Sequence, residues 1–549
     1  MSHIPDKPRS SAWRAALLRF AVHGEALLLD PARYLGCLWW RITGKRLRAR
    51  LVLAPLLGRA AHAYALWQVR YEPSAARPEP ADPPRIIALV EDGTGIAATL
   101  ASLADEGVEA QVVAEGFDIG SVGNLRCAWL MPLAGGDVLA RGAGARYRAA
   151  AAAAQADTQV IYADDDLIGP RRERCLPHLK PDWNSELFRH FDYLTGAAIV
   201  RAGSAIDLDF AEQDWAAGLM ADALQVADQP GEAALHIPAI LHHRRTRPAP
   251  RIPLEPAQPM TADHSLPRVS VLIPTHNRHD LLGICLEGLS LTDYPHRPEI
   301  IVIDNRSDDP ATRDFLDAIA PAFARVVRDD GPFNFAAINN RAAREAQGEL
   351  LCFLNNDIEL TDPHWLIAMA RQAVRGDVGA VGAQLLYPDG RIQHAGVVIG
   401  IGGAAAHAHR LIDPHEPGYF HRHAVPQFTS AVTAACMVVE RAKFDAVGGF
   451  DAEQFAVSFN DVDLCLRLAA RGWRSLYEPR ARAVHHESVS RGLDRDPRGA
   501  ARQAREVMAL QERWGTRLAS FGPAGESSNP DPFHHPALSR LSEHFVLDL

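Results

Sequence analysis

Three apolar runs in the second half of this chain each end on a polar cluster, and that pattern limits the fold more than any other feature. Val269-Ser270-Val271-Leu272-Ile273 runs into Pro274-Thr275-His276-Asn277-Arg278, Glu299-Ile300-Ile301-Val302-Ile303 into Asp304-Asn305, and Leu350-Leu351-Cys352-Phe353-Leu354 into Asn355-Asn356-Asp357. Short aliphatic runs bounded by turn-forming residues read as strands buried on both faces. Such strands belong to parallel sheets covered by helices, and ligands bind those sheets at the carboxyl ends of the strands. Three in succession put carboxylates, amides and hydroxyls on one rim above an apolar platform, the layout of a nucleotide-binding site. Two more polar clusters follow, Phe459-Asn460-Asp461-Val462-Asp463 and His485-His486-Glu487-Ser488.

A chain of 549 residues is too long for one core, so two or three domains are expected. Hydrophobic residues at 47% and charged residues at 23% place it among ordinary globular proteins. The formal charge of −10 argues against a nucleic-acid partner held by a basic surface. Its 7 cysteines show no C-x-x-C and no paired spacing, so a reducing, cytoplasmic compartment is expected. The first residues lack the apolar core and cleavage site of a signal peptide. No uninterrupted apolar run of about 18 residues predicts a spanning helix.

Residues 1–80 read as a helical, basic region. Trp13 to Leu29 carries an apolar stripe, and Tyr34 to Leu57 mixes Leu38, Trp39 and Trp40 with Arg41, Lys45, Arg46, Arg48 and Arg50. Two readings stand side by side: peripheral contact with an anionic membrane surface, or an arm packed on the protein with its arginines snorkelling to water. Prolines 73, 78, 80, 83 and 84 mark one linker, and a second proline-rich stretch runs from Arg245 to Pro267. The segments after each linker both alternate apolar runs with helical stretches, the pattern of α/β layers.

The two segments read as a weak internal repeat. Ile86–Val90 corresponds to Val269–Ile273, and the strand Val160 to Ala163 ending in Asp164-Asp165-Asp166 corresponds to the strand ending in Asp357. Asp214 stands where Asn460-Asp461 stands later, and His242-His243 echoes His485-His486. The first copy lacks the Pro-Thr-x-Asn turn, and its second strand ends without an aspartate.

From Val269 to Trp514 the order of these motifs resembles the inverting family 2 glycosyltransferases of the GT-A fold, in the rhamnosyltransferase-like branch of bacterial surface-polysaccharide synthesis. The resemblance implies an α/β chain of two tandem GT-A-like (nucleotide-diphospho-sugar transferase) domains with mainly parallel sheets, preceded by a short helical region. The expected boundaries are 1–80 for the helical region, 81–250 for a degenerate first domain, 265–495 for the catalytic domain and 496–549 for a terminal helix and tail. It implies a nucleotide-sugar donor and a glycan or lipid-linked acceptor, met on the cytoplasmic face of the membrane.

The resemblance also assigns roles. Pro274, Thr275, Asn277 and Arg278 line the nucleotide pocket, with Asp304 and Asn305 at its base or ribose; taken alone, Asp304 to Asp308 would read as a turn and helix cap. Asp357 and His485 hold Mn²⁺ or Mg²⁺. Where the family usually has Asp-x-Asp this chain has Asn355-Asn356-Asp357, which leaves Asn355 and Asn356 as supporting amides. Asp461 is the general base, in Asn460-Asp461-Val462-Asp463 where the family has Glu-Asp-x-Asp, and Asp463 supports the site or the acceptor. Arg491, with Ser488 and Ser490, covers the diphosphate. Gly390 to Gly396 and Thr429 to Met437 fit an acceptor-side wall, and the loosely spaced histidines from 407 to 423 do not predict a zinc site. Two alternatives remain: a second live site at Asp164, Asp166 and Asp214, or a glycan-binding scaffold with both sites degenerate.

Overall fold

The computed structural model describes residues 9–72, 79–123, 125–205, 210, 214–225, 233–247, 265–486, 497–518 and 531–549. Four helices come first: α1 (Arg9–Leu29), α2 (Pro31–Ile42), α3 (Arg46–Gly58) and α4 (Ala63–Arg70). Asp30 caps α2, its side chain accepting from the Arg33 N–H, and Pro31 opens the helix with the φ its ring already favours.

The first sheet contains β1 (Ile86–Glu91), β2 (Glu109–Val113), β3 (Trp129–Leu133), β4 (Val138–Leu139), β5 (Val160–Ile168), β6 (Arg174–His178), β7 (Ala198–Arg201) and β8 (Ala234–Arg244). The second contains β9 (Val269–Thr275), β10 (Glu299–Asp304), β11 (Arg325–Arg328), β12 (Leu350–Leu354), β13 (Ile358–Leu360), β14 (Val378–Leu386) and β15 (Ile392–His394). A small hairpin of β16 (Val397–Ile399) and β17 (Ala405–His407) stands apart, and β18 (Gln427–Thr429), β19 (Cys436–Glu440) and β20 (Arg474–His485) complete the second sheet.

The strand orders are β2-β1-β3-β7-β5-β8-β4 and β11-β10-β9-β12-β19-β14-β20-β13. With β11 and the side strand β18 set aside they match strand for strand, including the sense of each pairing and the side strands β6 on β5 and β15 on β14. The internal repeat is thus a repeat of topology. It also corrects one equivalence. β5, which carries Asp164, Asp165 and Asp166, matches β14; the counterpart of β12 is β3, and the counterpart of Asp357 is Asp137. The sheets are mixed rather than mainly parallel, because β7 and β19 each enter antiparallel to both neighbours.

The central strands are buried on both faces. Along β12, Leu350, Cys352 and Leu354 join one core while Leu351 and Phe353 join the core across the sheet. An uninterrupted apolar run is what a doubly covered strand requires. At the carboxyl ends of β9, β10 and β12 the apolar run stops, and there the polar rim opens.

Candidate active site

A cavity of about 660 Å³ lies over that rim. Thr275 forms its floor at the end of β9, and its hydroxyl accepts from Asn356 Nδ2 at 3.0 Å. Asn277 and Arg278 both adopt left-handed backbone, φ 54° and 59°. Asn277 holds the two loops together: its N–H donates to Ser307 Oγ at 2.8 Å, and its Oδ1 accepts from the Asp308 and Asp309 N–H groups at 3.0 Å. Arg278 pairs with Asp280 and does not line the cavity, though the Asp357 carboxylate also favours its charge.

Asp304 is buried beneath the wall. Its carboxylate accepts from the Ser307 N–H at 3.0 Å and from Arg328. Asp304 thus closes a turn onto Ser307, while the cap of the helix Pro310–Ala318 is Asp309. The wall facing the cavity is built by Asn305, Arg306 and Asp308.

At the other end, β13 pairs antiparallel with β20 so that Ile358 stands opposite His485. This brings His485 Nε2 to 3.1 Å from Asp357 Oδ1. His485 Nδ1 lies 2.7 Å from Gln393 Oε1, an acceptor, so the ring proton sits on Nδ1 and the Nε2 lone pair faces the carboxylate. Asn355 Nδ2 lies 3.5 Å from the same Nε2. One carboxylate and one imidazole lone pair converging at this spacing, with an amide beside them, fit a divalent cation of the Mn²⁺ or Mg²⁺ kind. Gln393 is the outer partner that fixes such a ligand's tautomer.

Asp461 lies on the first turn of the helix Asn460–Ala469 and lines the same cavity. Burial pushes its carboxyl above the ordinary range. Hydrogen bonds oppose that shift: Oδ2 accepts from the Ala434 N–H at 3.1 Å, and Oδ1 from the Val462 N–H at 2.8 Å. Phe459, just before the helix, has φ 61°, a strained turn that presents the acid to the cavity. Asp463 points the other way. Fully buried, it accepts from Arg467 Nε at 2.7 Å, Arg513 Nη1 at 2.9 Å and Trp514 Nε1 at 3.0 Å. It binds the C-terminal helix Pro497–Leu518 to the base-bearing helix and does not line the cavity. Arg491, Ser488 and Ser490 lie outside the described residues.

Phe333 and Phe335, given no role by sequence reasoning, line the cavity, and so does His407, weighed there only among the loosely spaced histidines. His407 Nδ1 lies 2.7 Å from Nδ1 of His394, whose imidazole burial holds well below its ordinary range. Its signal was its place opposite Val397 in a hairpin that nothing local announced.

In the first domain, Asp164, Asp165 and Asp166 are fully buried and paired within the chain. Asp164 meets His236 at 3.1 Å and His535 at 2.9 Å, Asp165 meets Lys180 at 2.9 Å and Arg247 at 2.6 Å, and Asp166 meets Arg174 at 2.6 Å and His243 at 2.7 Å. The Tyr64 hydroxyl of α4 also donates to Asp166, at 2.5 Å. Asp164, His236 and His535 are close enough to share a metal. However, His535 Nδ1 accepts from the Ala537 N–H at 3.0 Å, which leaves the ring proton on Nε2 and directs it at Asp164. That is a hydrogen bond, not a metal ligand. Asp214 is exposed at the start of a separate helix. Asp137, the counterpart of Asp357, is held by Arg244 Nε at 3.4 Å and the Arg245 N–H at 2.8 Å. The Arg245 side chain crosses the space above Gly136 so closely that a Cβ there would collide with it.

Residues 270–446 match the model of glycosyl transferase family 2. That segment is a family 2 glycosyltransferase domain. Its layered α/β fold is the one expected from the motifs. An uncharacterized protein of Sinorhizobium fredii is 36% identical over 437 residues, 72% of this chain and 46% of that one. The O-antigen biosynthesis protein RfbC of Myxococcus xanthus is 33% identical over 427 residues, 70% of this chain and 32% of that one. The N-acetylglucosaminyl-diphospho-decaprenol L-rhamnosyltransferase of Mycobacterium tuberculosis is 38% identical over 82 residues, 15% of this chain and 26% of that one. The chain spans less than half the length of each. No helix among the described residues is long and apolar enough to cross a membrane.

Proposed function

We propose that the second domain transfers a sugar, with inversion, from a nucleotide-sugar donor to a glycan or lipid-linked acceptor in bacterial surface-polysaccharide synthesis. The observation that carries this is one cavity bounded by a basic carboxylate, Asp461, and by the converging pair Asp357 and His485, inside a family 2 domain. The likeness to an O-antigen biosynthesis protein and to a rhamnosyltransferase named for a lipid diphosphate supports the substrate class.

The nucleotide rests against Thr275, Asn305, Arg306 and Asp308, which places its diphosphate toward Asp357. Asp357 and His485, with Asn355 beside them, would hold Mn²⁺ or Mg²⁺, which neutralises charge on the departing diphosphate. Asp461 takes the proton of the acceptor hydroxyl. Burial makes it a stronger base than a free aspartate, while its two N–H donors favour the ionised form. The acceptor oxygen then bonds to the anomeric carbon as the carbon–oxygen bond to the diphosphate breaks, and that electron pair leaves with the nucleotide.

Slow hydrolysis of a panel of nucleotide sugars with Mn²⁺ or Mg²⁺ tests the reading without a known acceptor. One donor should be consumed, and Asp357→Ala should abolish its consumption. Transfer to an acceptor should fall by about 10²–10⁴ in Asp461→Asn with donor binding kept. No turnover and no calorimetric binding of any donor would move the scaffold reading ahead.

A further inference from the structure

We propose that the cavity between the four N-terminal helices and the C-terminal segment binds one molecule of an amphiphilic organic diphosphate, its phosphates on arginine and its apolar group on the floor. The cavity holds about 620 Å³ and shares no lining residue with the active-site cavity. Its floor is aliphatic. Val22 of α1, Leu53 of α3, Leu66 of α4 and Leu547 of the C-terminal segment meet there, each less than a tenth exposed. Arg19 of α1, Arg41 of α2, and Arg46 and Arg50 of α3 complete the lining, and all four are exposed, so the cationic side of the cavity is the side open to solvent.

The charge pattern names the ligand class. Four guanidinium groups stay positive at any working pH and repel one another across one concave site. No carboxylate among the described residues comes within ion-pair distance of any of the four. Asp548, the acidic side chain in the lining, accepts from Ser539 Oγ at 3.1 Å, and burial lifts its carboxyl above the ordinary range. The positive field reaches inward: burial, and then Arg19 and Arg41, hold the imidazole of His23 in the same lining below its ordinary range. Such a cluster matches a ligand with several negative charges close together, and guanidinium groups clamp phosphate oxygens through paired N–H bonds. A single carboxylate would leave most of the charge unmatched. A nucleotide would set a polar base and ribose against the leucines and lose their hydration. An alkyl or isoprenyl diphosphate satisfies both surfaces, and a cavity of this size is that of a small-molecule site.

Calorimetric titration of the full chain with geranyl diphosphate, inorganic pyrophosphate and geraniol tests this, with EDTA present so that no metal holds a diphosphate at Asp357. Geranyl diphosphate should bind one to one and at least ~10-fold more tightly than pyrophosphate. Geraniol should show no binding. R19Q/R41Q/R46Q/R50Q should weaken geranyl diphosphate by at least ~100-fold. Ala54 of α3 lines the same cavity, so A54F fills the floor and should bring geranyl diphosphate down to the affinity of pyrophosphate. Both variants lie outside the active-site cavity, and donor hydrolysis with Mn²⁺ should match wild type in each, so this site and the transferase reading stand or fall separately. Three results would overturn the proposal: pyrophosphate binding as tightly as geranyl diphosphate, wild-type affinity for geranyl diphosphate in either variant, or no binding of either phosphate compound.

Discussion

Asp461 and His485 show how one side chain's surroundings decide its chemistry. Gln393 accepts the hydrogen bond from His485 Nδ1–H and so leaves the Nε2 lone pair aimed at Asp357. Asp461 gains basicity because burial disfavours its charge, and that has a thermodynamic counterpart. As pH rises through the ordinary aspartate pKa of ~3.9, the unfolded chain loses this proton before the folded chain does, so stability falls until the folded group has also ionised. Above that point the folded protein bears the full cost of the buried charge. Asp461→Asn removes that cost together with the base, but turns an amide NH2 toward one of the two backbone N–H groups that the carboxylate satisfies. Relative to wild type, its melting temperature should therefore rise as pH goes from 3.5 to 7.5. Calorimetric melting of both proteins across that range checks it, and a difference that does not change with pH would show that burial does not lift the carboxyl.

Among the elements, the helix Asn460–Ala469 is held from behind. Asp463 anchors it to Arg467, Arg513 and Trp514, and Glu506 of the C-terminal helix accepts from the Val457 and Ser458 N–H groups just before it. Asp463→Asn would leave Arg513 and Arg467 facing a neutral amide at a fully buried position. A loss of about 2–4 kcal/mol is expected, set below the cost of a wholly buried pair because both arginines are partly exposed. Chemical denaturation reads it, and donor affinity in the folded fraction should be unchanged, because Asp463 does not line the cavity. The strands of this domain were legible because doubly buried strands leave unbroken apolar runs. Asp357, Asp461 and His485 were legible because each sits at the end of such a run or the start of a helix. β3 was not: Pro132 interrupts it and Gly135-Gly136 follow it, whereas Val160–Ala163 leading into three aspartates imitates the motif. The segment 531–549 has no periodicity to read, since its position comes from bonds to distant residues, such as the Asp182 N–H to the Pro532 carbonyl and the Ile399 N–H to Asp531.

Over the whole molecule, those distant bonds give the three aspartates of β5 their role. Asp166 receives Tyr64 from α4 and Asp164 receives His535 from the C-terminal segment, so one strand of the first domain joins both ends of the chain. Asp137, the counterpart of Asp357, is matched by Arg244 and the Arg245 backbone, which supports the proposal that this domain holds no donor. The clasp is also titratable. Burial alone would lower the pKa of His236, but Asp164 and then Asp182 raise it to about 9. The stability it contributes is complete below the unfolded value of ~6.5 and is lost as pH rises through 9, on the order of 3 kcal/mol. The Asp164 carboxyl is held below its ordinary range despite burial, by His535 and His236, so its share disappears only in acid. His236→Gln keeps a donor toward Asp164 without the charge. Wild type should therefore lose stability to denaturant between pH 6.5 and 9.5, whereas the variant should start lower and change little over the same interval. Parallel curves for the two proteins would mean that the imidazolium does not hold the clasp.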